Sequence, residues 1–93
     1  MVVTAFVMIV AAKDGVTELA ERLVDLDGVY EVYSFTGEFD VIAIVRVAEF
    51  DRVAELVTGE ITQLPHVLDT RTHVAFRAYS RLDLEAMLSI GAD

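Results

Sequence analysis

The sequence predicts a single α+β domain with the element order β-α-β-β-α-β. Three observations carry that reading: two strand-length runs apolar on both parities, two amphipathic helical stretches, and an internal echo at a fixed offset. The apolar runs are "VVTAFVMIVA", residues 2–11, and "VIAIVRV", residues 41–47. The echo pairs "LDGVYEV" from Leu26 with "LPHVLDT" from Leu64, an offset of 38 (64 − 26). The same offset relates Ala5 to Ala43, Val7 to Val45, Leu23 to Ile61 and Val29 to Val67. Two such halves form a ferredoxin-like sandwich of the dimeric α/β barrel type. Both helices then lie on one face of the sheet, and the first and third strands lie at its centre.

Taken in order, residues 2–11 form the first strand, which Lys13-Asp14-Gly15 breaks. Val16, Leu19, Ala20, Leu23 and Val24 follow at helical spacing, with Glu18, Glu21, Arg22 and Asp25 opposite. Asp14 is the expected N-cap, and Gly28 the expected left-handed residue that ends this helix. "VYEVYSFT", residues 29–36, is the second strand. The hinge Gly37-Glu38-Phe39-Asp40 is short enough to make an antiparallel hairpin with the strand at 41–47. A second helix carries Phe50, Val53, Ala54, Val57, Ile61 and Leu64 on one stripe, with Asp51 expected to cap it and Pro65 to stop it. Residues 67–77 read as the fourth strand. "SRLDLEAMLSIG" reads as a short closing helix opened by a Ser80–Asp83 capping box. The domain is thus expected over residues 1–79, with a helical tail over 80–93.

A chain of 93 residues holds one core, yet 55% of this one is hydrophobic. The helices cover only one sheet face. In the first strand Val3, Ala5, Val7 and Ile9 share one side, while Phe6, Met8 and Val10 share the other. Packing the second side against a second copy, as an isologous dimer, removes it from water. The net charge of −9, from 16 acidic and 7 basic residues, repels phosphate backbones and argues against direct nucleic-acid binding. The absence of cysteine excludes disulfides and thiolate chemistry. The two histidines lack flanking cysteines or clustered acids, so no metal site is expected. Ser34, Ser80 and Ser89 sit in no nucleophile elbow, so no catalytic residue and no cofactor are expected either. The apolar N-terminal run is too short to span a bilayer and lacks a basic leading region. A cytoplasmic setting away from membranes is the expectation.

The stretches "LDGVYEVYSFTGEFDVIAIVRV" and "QLPHVLDTRTHVAF" add a family. From Val3 to Phe76 the chain resembles the ligand-binding (RAM) domain of the leucine-responsive/asparagine-responsive (Lrp/AsnC) regulators. Their second strand ends in a T-G-[DE]-[FY]-D turn and their fourth follows L-P-G-V. The resemblance implies a module that senses a small effector, usually an amino acid, in transcription regulation. It implies dimers through the open sheet face that assemble further, often into a ring of four dimers, an octamer. Effectors in the family bind between neighbouring dimers, near the turn after the second strand. Full-length members carry an N-terminal helix-turn-helix. This chain starts at the first strand and resembles the stand-alone form, acting through oligomer assembly or through a full-length Lrp/AsnC partner.

By itself, Gly37 to Asp40 reads as a turn in which glycine takes unusual backbone angles and the aspartate bonds a nearby amide. The resemblance makes Gly37, Glu38, Phe39 and Asp40 effector contacts, with backbone N–H groups for a carboxylate and acids for an ammonium. It adds Thr70, Thr72 and His73 at the border of the pocket. His73 stands where related regulators often have tyrosine, and a smaller, titratable ring changes which side chain fits. His66 replaces the glycine of L-P-G-V and reads as an exposed turn residue that tolerates a positive φ. Two other readings compete. One is an oligomerisation module without effector. The other is a small ferredoxin-like enzyme, a class that includes monooxygenases and isomerases and needs polar groups in a cavity between sheet and helices. The Val, Leu, Ala and Ile stripes of both helices argue for a solid core there.

Overall fold

The computed structural model describes residues 2–82. In chain order the elements are β1 (Val3–Ala11), α1 (Val16–Val24), β2 (Val29–Ser34), β3 (Val41–Val47), α2 (Phe50–Leu56) and β4 (Val67–Val74). The strands form one antiparallel sheet ordered β2-β3-β1-β4. The two doubly apolar runs are therefore central, as the ferredoxin-like order requires. Because residues directly opposite share a face, the register decides what each side carries. Val7 lies opposite Ala43 and Thr72, and Phe6 lies opposite Ile44 and His73.

On the covered face, Ala5, Val7, Ile9, Val41, Ala43 and Val45 are fully buried against Leu19 and Leu23 of α1 and Leu56 of α2. All buried residues are apolar among those described. The side chains that pack between sheet and helices are hydrocarbon.

The helix caps differ from expectation. The N-cap of α1 is Gly15 rather than Asp14, and no side chain caps it. Gly15 donates to Ala12 O at 2.9 Å and its carbonyl accepts from Leu19, which starts the helix one residue later. The ring of His66 packs against Gly15. A methyl group added at Gly15 would overlap that ring. At α2 the N-cap is Glu49, in extended backbone and without a side-chain bond, while Asp51 sits inside the first turn. There its charge faces the positive end of the helix.

The second helix also changes its winding. After Leu56 the chain continues as a π-helical turn, Val57–Ile61, in which Thr58 donates to Ala54 O and Thr62 to Thr58 O. The buried stripe is Val53, Leu56, Val57 and Ile61, whereas Phe50 is 62% exposed and Ala54 is exposed. The strands are shorter than expected. β2 stops at Ser34, with one further bond in the same register from the Phe35 N–H to Asp40 O at 3.1 Å. β4 stops at Val74, with one further bond from Ala75 N–H to Thr4 O. The expected closing helix and its Ser80–Asp83 capping box lie, from Asp83 onward, outside the described residues.

Gly28 has φ 103° and His66 has φ 76°, and the two are repeat partners. Gly28 is not the helix C-cap, which is Asp25. It turns the chain into β2, where a Cβ would press on Val47 and Leu56 at 3.0 and 3.1 Å.

Candidate functional site

The hinge after β2 is exposed backbone at Gly37 and Glu38. Gly37 has φ 129°, and an added Cβ would meet nothing within 4 Å. Gly37 and Glu38 are exposed, and their amides have no partner among the described residues. Asp40 is half-buried and fully engaged. Its N–H donates to Ile9 O at 2.9 Å, its carbonyl accepts from Phe35, and its Oδ2 accepts from the Ala11 N–H at 2.9 Å. That last bond sits beside the register shift between Val10 and Ala11, where the ladder with β4 is irregular. The carboxylate continues the β1 ladder past the end of β3. The carboxylate bonds no amide of its own turn; its partner is on β1, 29 residues away in sequence. Phe39, half-buried, completes the turn.

The β4 residues fall elsewhere. Thr70 lies opposite Ile9 and Thr72 opposite Val7, both on the helix side of the sheet. Asp40 and Thr70 therefore flank β1 from opposite edges, roughly 10 Å or two strand spacings apart. Thr72 borders a groove of about 230 Å³ with Phe50, Ala54, Thr58 and Val74. His73 points to the open face with Phe6. One chain thus gathers Gly37, Glu38, Phe39 and Asp40, but holds Thr72 and His73 apart from them and from each other.

Three features lie outside the sequence reading. The groove is one, built where Phe50, Ala54 and Thr58 project at successive turns over edge strand β4. A helix stripe one turn too wide for the core is the signal that could have found it. The second is a cation–π contact on the open side, with the Arg46 guanidinium 4.1 Å from the centre of the Tyr30 ring. The third is His66. It is half-buried rather than simply exposed, and its Nε2 lies 2.9 Å from Glu18 Oε2. It ties the loop before β4 to α1, with Ala12 donating to His66 O at 2.9 Å.

The hydrogen bond from His66, aided by its charge and by Arg22, holds the Glu18 carboxyl below its ordinary value of 4.5 against a smaller desolvation effect. A group whose folded pKa is depressed contributes stability above the unfolded value and loses it as pH falls through the folded one. Glu18→Gln is therefore expected to lower the urea midpoint at neutral pH, with the difference from wild type closing in acid. A difference independent of pH would show that the contact carries no charge effect.

The open face has the anatomy of an interface. Phe6, Met8, Val10, Ile42 and Ile44 occupy its centre on β1 and β3. Glu31 and Tyr33 on β2, with Asp69, Arg71 and His73 on β4, make a polar border. The Tyr33 hydroxyl donates to Glu31 at 2.6 Å, which raises its pKa because a phenolate would face the carboxylate.

A one-sided ferredoxin-like sheet with an exposed glycine hinge defines a class of small binding domains. Residues 4–83 match the Lrp/AsnC ligand binding domain, and the chain belongs to that family. It is 38% identical over 76 residues to an uncharacterized HTH-type transcriptional regulator of Pyrococcus furiosus, covering 78% of this chain and 51% of that protein. The chain spans about half the length of the curated relatives it matches, which are named as transcriptional regulators rather than enzymes. Among solved structures, TTHA0845 from Thermus thermophilus superposes with a TM-score of 0.80 at 42% identity, over 85% of this chain and 99% of that one. AsnC of E. coli shares the fold at a TM-score of 0.78 and 20% identity, over 84% of this chain and 53% of that one. Among the described residues no helix is long and apolar enough to cross a membrane.

Proposed function

We propose that this domain senses a free amino acid and transmits its presence through assembly, in transcription regulation exerted with a DNA-binding partner. The observation that carries the reading is the Gly37–Glu38 hinge, whose unpartnered amides suit a carboxylate while Glu38 suits an ammonium. A regulator of Neisseria meningitidis with the same fold was solved as a complex with L-Met, which supports an amino acid as the ligand class. The domain pairs through the apolar centre of its open face. The hinge of one copy and the β4 residues of another, Thr70, Thr72 and His73, then complete the effector site where dimers meet. The binding domain is assigned to residues 1–79. With a net charge of −9 the chain makes no specific duplex contact of its own.

A second reading, an assembly module without effector, is favoured by Asp40, whose carboxylate already serves Ala11. Calorimetric titration with a full amino-acid panel, beside light scattering, separates the two. The expected result is saturable heat with one amino acid, a shift in assembly size, and weaker binding in Glu38→Gln. No binding by wild type at millimolar concentration would leave the assembly module as the function.

A further inference from the structure

The flat part of the open face is modest. Along the nine residues of β1 it is about 30 Å long, and four strands make it about 19 Å wide, so its projected area is roughly 570 Å². Each partner in a stable interface buries about 800 Å² of accessible surface. A further apolar contact would strengthen the pairing.

The segment after β4 is placed to do so. Beyond Ala75 the chain leaves the ladder, and there Phe76 and Arg77 border a cleft of about 240 Å³ with Thr4, Phe6, Ile44 and Arg46. All four belong to the open side by register. The segment therefore emerges on the open face rather than over the helices. Its large side chains do not fold back: Phe76 is fully exposed, Tyr79 is 72% exposed and Leu82 is 75% exposed. Single exposed apolar residues are ordinary on a protein surface. Here several sit within one short segment without strand pairing, adjoining a bare apolar sheet, and together they form a patch.

We infer that residues 75–82 are an exchanged arm, which lays Phe76 and Tyr79 against the sheet of a second copy of this chain. The inference rests on the sheet-face dimer proposed above. A two-fold axis through the open face sets each arm beside the other copy's sheet, so one symmetric contact occupies both arms. Phe and Tyr each remove about 150–250 Å² from water. Adding both brings the contact to about 800 Å² or more per partner, the size of a stable interface. The cleft at Thr4 and Ile44 is the seat of the arm's base, and the partner's sheet receives its aromatic groups.

Two measurements test the arm separately from the face. Phe76→Ser/Tyr79→Ser is expected to weaken dimerisation about 30-fold or more, read by sedimentation across a dilution series, with the urea midpoint of the monomer unchanged. A photoreactive phenylalanine at position 76, in a mixture of light and isotopically heavy chains, is expected to give mixed-isotope peptides joined to β1 or β3. A dissociation constant equal to that of wild type, or crosslinks confined to one chain within an intact dimer, would overturn the arm and leave the face standing. A wild-type chain that stays monomeric at every concentration would overturn the face, and the arm with it. Mixed crosslinks that map to the helices would show the arm gripping another surface, which also overturns the inference.

Discussion

A chain carrying Phe6→Asp is expected to be monomeric under conditions where the wild-type chain is a dimer. Phe6 sits midway along β1 on the open face, between Ile44 of β3 and His73 of β4. A two-fold pairing buries it in both copies. The guanidinium of Arg46 already lies over Tyr30, and the nearest other basic side chains, Arg71 and His73, stand at the β4 border rather than over the centre of the face. Burying an unpaired charge costs about 3–5 kcal/mol, or roughly a thousandfold in the dissociation constant, and the symmetry imposes it twice. The fold itself loses little, since Phe6 is already 39% exposed in the single chain. Phe6→Thr keeps the strand preference without the charge and is expected to weaken pairing less. Sedimentation reads the assembly, and circular dichroism checks that each variant is folded. A Phe6→Asp dimer that resists dilution would remove the open face from the assembly.

That prediction was legible before any coordinates because strand parity is local. Phe6, Met8 and Val10 alternate with Val7 and Ile9 in the sequence, and the register places them on opposite faces. The repeat was legible for the same reason. Gly28 and His66 occupy matching positions and both take positive φ, a requirement of the turn that each half makes before its strand. The misreadings arose where a distant residue decides. The N-cap of α1 is Gly15 rather than Asp14, and the ring of His66, from the far half of the chain, packs on that glycine. The second helix buries Leu56 in place of Phe50, which lies over a groove, and after Leu56 its winding loosens into a π turn. No local pattern announces a π turn.

The candidate site divides along the same line. Gly37 to Asp40 are contiguous, so their grouping needed no tertiary information, and the glycine's φ followed from its place in a tight turn. Thr70, Thr72 and His73 are a different case. The alternation that puts Thr70 and Thr72 on one face puts His73 on the other. A single pocket in one chain cannot hold all three, so a shared site needs a neighbouring copy. The groove beside Thr72 needed the pairing of α2 with an edge strand, which no stretch of sequence states.

Asp40 carries the second large effect, and it falls on stability. Ala11 is only 3% exposed, and its N–H has the Asp40 Oδ2 as acceptor at 2.9 Å. Asp40→Ala leaves that donor without a partner at the irregular end of β1. The cost of an unsatisfied buried amide is about 1–3 kcal/mol. The urea midpoint is expected to fall accordingly with its slope unchanged, because the surface exposed on unfolding is the same. Asp40→Asn keeps a carbonyl oxygen at the acceptor position and is expected to recover most of the loss. Glu38→Gln, on an exposed side chain, is expected to stay within about 0.5 kcal/mol of wild type. The pair separates two duties at the hinge: Glu38 is the ligand contact proposed above, and Asp40 holds the end of β1. If Asp40→Ala unfolds at the wild-type midpoint yet loses the amino-acid response, the carboxylate serves the effector, and β1 ends without it.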